Sequence, residues 1–317
     1  MDALVRVRAC AISAQDVRAF RTGSEITPGT EVVGVVAALG DDAARMGIAE
    51  GARVAVHRHA ACGECALCLR GRTNLCRHRL RPDTGVGVDG GYAEFLTAHI
   101  RQLIPLDPGI SWEQGLMLLE TVGSPLHGLR RAHIWNHPER IGNALILGAP
   151  PTGLAAAAVL AAVGVPNIAV LEAAPYRREL ARADGASVFP PLERATDHAL
   201  IAFARDGFDL VIDVSNEPDL RDQGFRHIAD GGVLLVVGEN NAPFSVSLHS
   251  DLGLREKSVV GSEYFPIREF SSNESLVLSS RLRPERLISH RFSLEDILPG
   301  FESFSAGLTG AVLVSSR

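Results

Sequence analysis

At 317 residues the chain is long enough for two domains. A net charge of −6 leaves no basic footprint for nucleic acid, and 46% hydrophobic with 21% charged residues describes an ordinary globular protein. No apolar run approaches the roughly 18 residues of a membrane-spanning helix, which excludes a helical membrane protein. The most apolar window, 154–163, is alanine-rich and bounded by Gly153 and Gly164, so it reads as a buried helix. The opening MDALVRVRAC lacks the basic segment and apolar core of a signal peptide, and a reducing cytoplasm is the expected compartment. Lys257 is the sole lysine among 31 basic residues, which argues against Schiff-base chemistry.

In chain order, residues 4–12 alternate and then run apolar, which predicts a strand. Residues 34–39 and 53–57 predict further short strands between glycine turns, the pattern of a small barrel-like β domain. Next comes CGECALCLRGRTNLC, which holds Cys62, Cys65, Cys68 and Cys76, four of the five cysteines. Two overlapping CxxC units and a fourth cysteine suit one tetrahedral zinc of the closed, structural kind. A pair of disulfides is disfavoured, because CxxC spacing strains a disulfide and no secretory signal precedes it. Four thiolates leave no open position, so such a metal fixes the lobe and does no chemistry.

Residues 90–96 return to a strand, and 112–131 read as one helix carrying Glu120. A βαβ unit follows: strand 143–147, the turn Gly148–Gly153, helix 154–163 and strand 167–171, which ends at Glu172. Alternation then continues with helix 176–183, a strand near 187–189, helix 196–205, strand 209–214, helix 219–228 and strands 233–237 and 258–261. This predicts a parallel, doubly wound sheet. Helices at 273–281 and 293–303 and a strand at 311–314 read as a return to the first domain. Two domains with a cleft between them are expected.

The turn has glycines at the first and last positions of GxGxxG, Gly148 and Gly153, with Pro150 in the middle, where close approach to a pyrophosphate is needed. The strand before it, the helix after it and the acidic Glu172 support dinucleotide binding. Candidate cofactor contacts are Gly148, Pro151, Thr152, Gly153, Glu172 and Arg177. A carboxylate at Glu172 repels a 2′-phosphate and favours NAD(H) over NADP(H), a preference that Arg177 and Arg178 soften.

CGxCxxC followed by GxxNLC resembles the structural-zinc lobe of the zinc-type medium-chain alcohol dehydrogenases, and residues 90–96 resemble that family's GGxAEY segment. The resemblance implies an α/β protein with a GroES-like β-barrel domain and a Rossmann domain. Residues 1–117 and 270–317 would form the first, with the zinc lobe at 58–80, and 118–269 the second. Members usually carry a further strand pair before the first strand seen here, so either this pair is lost or the start lies upstream. A homodimer or homotetramer, a small-molecule substrate and no nucleic-acid or membrane partner are also implied.

Residues 9–16, ACAISAQD, look like the family's ACGICGTD. The catalytic-zinc cysteine falls on Ser13, the proton-relay hydroxyl on Gln15, and the aspartate is kept as Asp16. A histidine present in many members falls on Arg18. Gly29-Thr30-Glu31 looks like GHE, so the zinc-binding histidine falls on Thr30 while Glu31 is kept. Leu119-Glu120 looks like the LEP segment, keeping the acid at Glu120. Neutral hydroxyls are poor zinc ligands, so structural but not catalytic zinc is expected. A shifted alignment would make Cys10 a ligand, but its place on a strand favours a core role. Asp16, Glu31 or Glu120 then serves as general base, with Ser13, Thr30, Gln15 or Arg18 orienting substrate. An NAD(H)-dependent oxidoreductase is expected, oxidising a hydroxyl or reducing an activated double bond, with a place in secondary metabolism conceivable. The alternative is a non-redox relative, a ligand-binding or lyase/cyclase-type protein keeping only the structural zinc.

Overall fold

The computed structural model describes residues 1–43 and 47–315. Alternating buried and exposed side chains at the start of the chain build β1 (Asp2–Ala11), whose Ala3, Val5 and Val7 face the core. After it come α1 (Ala14–Thr22), β2 (Glu31–Leu39), β3 (Arg53–Val56), α2 (Ala66–Leu69), β4 (Phe95–His99), β5 (Leu103–Pro105), α3 (Trp112–Met117) and α4 (Glu120–Arg131). The middle of the chain forms β6 (Asn143–Leu147), α5 (Pro151–Ala162), β7 (Asn167–Leu171), α6 (Pro175–Ala183), β8 (Ser187–Phe189), α7 (Arg194–Phe203), β9 (Phe208–Asp213), α8 (Pro218–Arg226), β10 (Ile228–Val236) and β11 (Ser258–Gly261). Last are α9 (Phe270–Leu278), β12 (Ile288–Ser293), α10 (Ile297–Ser305) and β13 (Ala311–Ser315).

The chain divides into two compact units: Met1–Gly123 with the stretch from Phe265 onward, and Ser124–Tyr264. The first is built on a mixed sheet in the order β12-β13-β1-β2-β3-β5, with β4 also pairing with β1. Val5, Val36, Val54 and Leu96 from its strands pack with Phe301 and Phe304 of α10. In the second unit, β11-β10-β9-β6-β7-β8 form one sheet whose pairs are all parallel. Its strands are near-continuous apolar runs, as a parallel sheet covered on both faces requires. The fold is therefore a GroES-like β domain plus a Rossmann-type parallel sheet.

Several expectations are corrected. The predicted helix 112–131 is two helices, because Leu118 and Leu119 turn between α3 and α4. The Thr121 N–H goes to the Glu31 carboxylate instead of a carbonyl one turn back, and Pro125 inside α4 has no N–H to give. The strand expected at 90–96 begins only at Phe95. The helix expected to end at 228 stops at Arg226, and the strand expected at 233–237 is the end of the longer β10. The helix expected at 293–303 starts at Ile297, because residues 288–293 pair with β13 as β12. Neither β12 nor β5 was legible, since both are short and owe their burial to strand partners rather than to alternation of their own. Helix α1 was also missed, although Ser13 and Asp16 form its capping box.

Candidate active site and cofactor turn

The four cysteines converge. The Sγ of Cys62 lies 3.6 Å from that of Cys76 and 3.8 Å from that of Cys68. All four sulfurs lie within 4.8 Å of one another, and among the described residues this is the only such gathering of metal-ligating side chains. Zinc–sulfur bonds of about 2.3 Å in a tetrahedron place sulfurs roughly 3.8 Å apart, so the donor set fits one structural zinc. Cys62, Cys68 and Cys76 are buried in a cluster of their own, with Ala61 and Cys65 against it, and the lobe has little other core.

In the same unit, Thr30, Ser13 and Asp16 meet in a hydrogen-bonded chain. Thr30 Oγ1 donates to Ser13 Oγ at 3.4 Å, and Ser13 Oγ donates to Asp16 Oδ2 at 2.7 Å. Asp16 also accepts from Ser13 N at 2.8 Å, Gly29 N at 2.9 Å and Tyr92 OH at 3.0 Å. Gly29 is required here: with φ of +112°, a Cβ would stand 2.6 Å from Gly91 N and 2.9 Å from Cys10 Sγ. Burial raises the Asp16 carboxyl above its ordinary value, against the pull of the hydrogen bonds from Ser13, Tyr92 and Gly29. Cys10 is buried against these glycines, and burial together with Asp16 and Glu31 pushes its thiol well up, the opposite of a metal-ligating thiolate. Its place is the core.

Glu31 and Glu120 meet at the start of α4. Glu31 Oε2 accepts from Thr121 N at 3.0 Å and Oε1 from Thr121 Oγ1 at 3.1 Å. Burial, then repulsion by Glu120, raises the Glu31 carboxyl to about 8. Glu120 Oε2 receives Arg58 Nη1 at 3.4 Å, and Arg58 is buried to 4% exposure. Gln15 is half-buried and Arg18 exposed on α1. The oxygens and hydroxyls gathered here do not match what zinc selects, since no thiolate or imidazole stands among them.

Beside Arg58 lie two buried histidines. His57 accepts from His59 N at Nδ1 and donates from Nε2 to Phe265 O at 2.9 Å, which assigns its neutral tautomer. Burial lowers it to about 3 and lowers His59 to about 4. His59 Nδ1 lies 2.9 Å from Asp83 Oδ1, and Arg79 Nη1 2.6 Å from Asp83 Oδ2. Burial alone would lift Asp83, but its bond with His59 and the charges of Arg79 and Arg58 outweigh it and hold the carboxyl down.

In the second unit the turn between β6 and α5 keeps the two glycines for packing reasons. A Cβ on Gly153 would stand 2.3 Å from Gly148 O and 3.0 Å from Val214 Cγ2. Pro150 caps α5 and Pro151 opens it, so neither offers an N–H, and Thr152 supplies the first. Glu172 Oε2 accepts from Ala149 N at 2.5 Å and Oε1 from Ala174 N at 2.7 Å. Each oxygen keeps a further lone pair, so a ribose hydroxyl can still be received. Arg178 spends its guanidinium on the carbonyls of Glu172 and Ala173, whereas Arg177 is half-buried within electrostatic reach of Glu172. These residues fit a dinucleotide, with fewer main-chain donors than an intact GxGxxG offers.

Comparison with known proteins agrees with this fold. The family model described as "Alcohol dehydrogenase GroES-like domain" matches residues 1–108, and that described as "Zinc-binding dehydrogenase" matches residues 151–278. The chain belongs to the zinc-type medium-chain dehydrogenases. It is similar to an L-threonine 3-dehydrogenase of Pectobacterium carotovorum, at 28% identity over 99% of this chain and 91% of the relative. The alcohol dehydrogenase TADH from Thermus sp. ATN1 superposes with a TM-score of 0.88 at 25% identity, covering 100% of this chain and 92% of that one. A zinc-binding dehydrogenase of Sinorhizobium meliloti 1021, solved bound to NADP, superposes with a TM-score of 0.80 at 26% identity, covering 99% and 92%.

This medium-chain dehydrogenase is thus an oxidoreductase. Its site contains residues that sequence reasoning passed over: Arg58, Thr121, Tyr92 and the His59–Asp83 pair. Arg58, His57 and His59 follow directly on β3, and three such side chains in a row past a buried strand were a signal that could have been used. Among the described residues no helix is long and apolar enough to cross a membrane.

Proposed function

We propose that this medium-chain dehydrogenase moves a hydride between NAD(H) and a polar small molecule without a catalytic zinc, and that the Thr30–Ser13–Asp16 chain carries the proton. The observation that carries the reading is that chain: two hydroxyls hydrogen-bonded in series to a buried carboxylate, where the resemblance would put the family's metal-binding histidine and cysteine. A bound nicotinamide supplies the hydride acceptor or donor. In the oxidising direction, a substrate hydroxyl gives its proton to Ser13 Oγ as Ser13 Oγ passes its own to Asp16 Oδ2, or gives it to Thr30 Oγ1, which passes its own to Ser13 Oγ in the same relay. The substrate C–H leaves as hydride and a C=O bond forms. In the reducing direction Asp16 returns the proton through Ser13. Burial brings the Asp16 carboxyl upward, towards the range where a general base works. Without Lewis-acid help, activated acceptors such as a conjugated C=C, C=O or C=N demand less than alcohol oxidation, which favours reduction.

Glu172 supports NAD(H) over NADP(H), because its carboxylate stands at the end of β7 and Arg178 is engaged elsewhere. Thr152, Gly148, Pro151 and Gly153 shape the phosphate seat. The four free thiolates suit a reducing cytoplasm, and the family resemblance supports a homodimer or homotetramer.

Metal analysis of the purified chain should give one zinc; two would overturn the reading. Quenching or enhancement of NADH fluorescence should report binding in the micromolar range. The second reading, a non-redox ligand-binding or lyase/cyclase protein, is favoured by Pro150, Pro151 and the occupied Ala149 N–H. It would stand if NADH failed to bind at millimolar concentration.

A further inference from the structure

We propose that Arg58 is the permanent cation of this site, which balances Glu120 and takes over the charge role of a divalent metal that it thereby excludes. The inference rests on the reading that no catalytic zinc is held. Glu31 and Glu120 are retained acids whose carboxylates repel each other at the start of α4. With Ser13 and Thr30 beside Asp16, the donors offered here are all oxygens, and among the described residues only the four cysteines gather closely enough to hold an ion by themselves. Arg58 stands against that set from the segment after β3. Its guanidinium is buried, Nη1 lies 3.4 Å from Glu120 Oε2, and 62 residues separate the two in sequence. Near it also stand His57 and His59, both held neutral, and Asp83, which has Arg79 at 2.6 Å. Glu120 is the carboxylate to which the Arg58 guanidinium is hydrogen-bonded.

An arginine keeps its proton under all ordinary conditions, so this charge cannot be titrated away. Two things follow. Glu120 is held in orientation by this contact, which makes Arg58 a positioning residue. A metal entering beside Glu120 would meet a like charge in a poorly screened setting.

The test uses the full chain, with its structural zinc as an internal control of folding. Cobalt(II) is titrated into the wild type, into Ser13→Cys/Thr30→His, and into that pair combined with Arg58→Met, Arg58→Gln or Arg58→Lys. Visible ligand-field absorption and metal analysis report the second site. Removing the charge with Met or Gln should tighten second-site binding at least about tenfold over the double variant, while Lys should restore the weak binding. Variants keeping one structural zinc are scored, and two neutral replacements guard against one that misfolds. Second-site affinity that stays within about threefold when Arg58 is neutralised, or that falls, sinks the proposal, since a merely structural ion pair would behave so. A wild type that already holds two metals overturns the zinc-free reading itself, whatever the Arg58 variants do.

Discussion

Glu31, the first residue of β2, fastens the first turn of α4 by accepting from both the N–H and the hydroxyl of Thr121, at 3.0 and 3.1 Å. The two residues are 90 apart in sequence. The bond explains why the helix restarts after Leu119.

The Glu31 carboxyl is lifted to about 8 by burial and by Glu120, whereas an unfolded glutamate titrates near 4.3. Between those values the folded chain binds the extra proton, so this contribution is present at low pH and is lost as pH rises towards 8. Denaturant unfolding should show the wild type losing stability between pH 5 and pH 9 relative to Glu31→Gln. Thr121→Val should cost roughly 1 kcal/mol at pH 6 by removing one buried hydrogen bond. Parallel pH profiles for wild type and Glu31→Gln would contradict the assignment.

The buried histidines act with the opposite sign. His57 and His59 are held at about 3 and about 4, below the unfolded value near 6.5. The unfolded chain therefore takes up protons first, and stability is full above pH 6.5 and falls as pH drops through 6.5 towards 3. His57→Gln should flatten part of this acid limb, because Gln cannot take up the proton. Urea unfolding at pH 7, 5.5 and 4.5 measures it; an unchanged acid limb in the variant would rule out His57 as the source.

The zinc lobe is held by its metal more than by packing. Its buried cluster is Cys62, Cys68 and Cys76 themselves, with Ala61 and Cys65 packed against them. Cys76→Ser should lower zinc to well under one per chain and expose residues 58–80 to rapid amide exchange. Metal binding to structural cysteine sites is worth on the order of 10 kcal/mol, so a strong chelator should have the same effect. Full retention of zinc in the variant would show that a fourth thiolate is not needed.

At the cofactor turn, Pro150→Gly restores both a donor N–H and room for a pyrophosphate. NADH should bind about three- to tenfold tighter, the range of one hydrogen bond to a charged group. Glu172→Ala should weaken NADH about tenfold and narrow its advantage over NADPH. Gly153→Val should abolish cofactor binding by destabilising the unit, since its Cβ would meet Gly148 O at 2.3 Å. Fluorescence titration with both nucleotides separates these outcomes, and unchanged affinity in Pro150→Gly would remove the turn from the binding site.

Much of this protein was legible from residue order alone. The cysteine lobe could be read because its donors lie within fifteen residues, Cys62 to Cys76, and a tight loop leaves them few arrangements. The strand–turn–helix at 143–162 was readable for a similar reason: Gly148 and Gly153 mark a local bend, and a buried helix of alanines declares itself.

What residue order alone determined was thus the set of elements whose cause is local: period-two burial in β1, the apolar strands of the parallel sheet, the turn and the thiolates. Tertiary structure alone decided who stands next to whom. It joined Thr30 to Ser13, set Glu31 on Thr121, split one expected helix into α3 and α4, and brought Arg58 to Glu120. Those partners are 17 to 90 residues apart, and a hydrogen bond or ion pair at such separation depends on how strands and helices pack, which no short-range periodicity encodes.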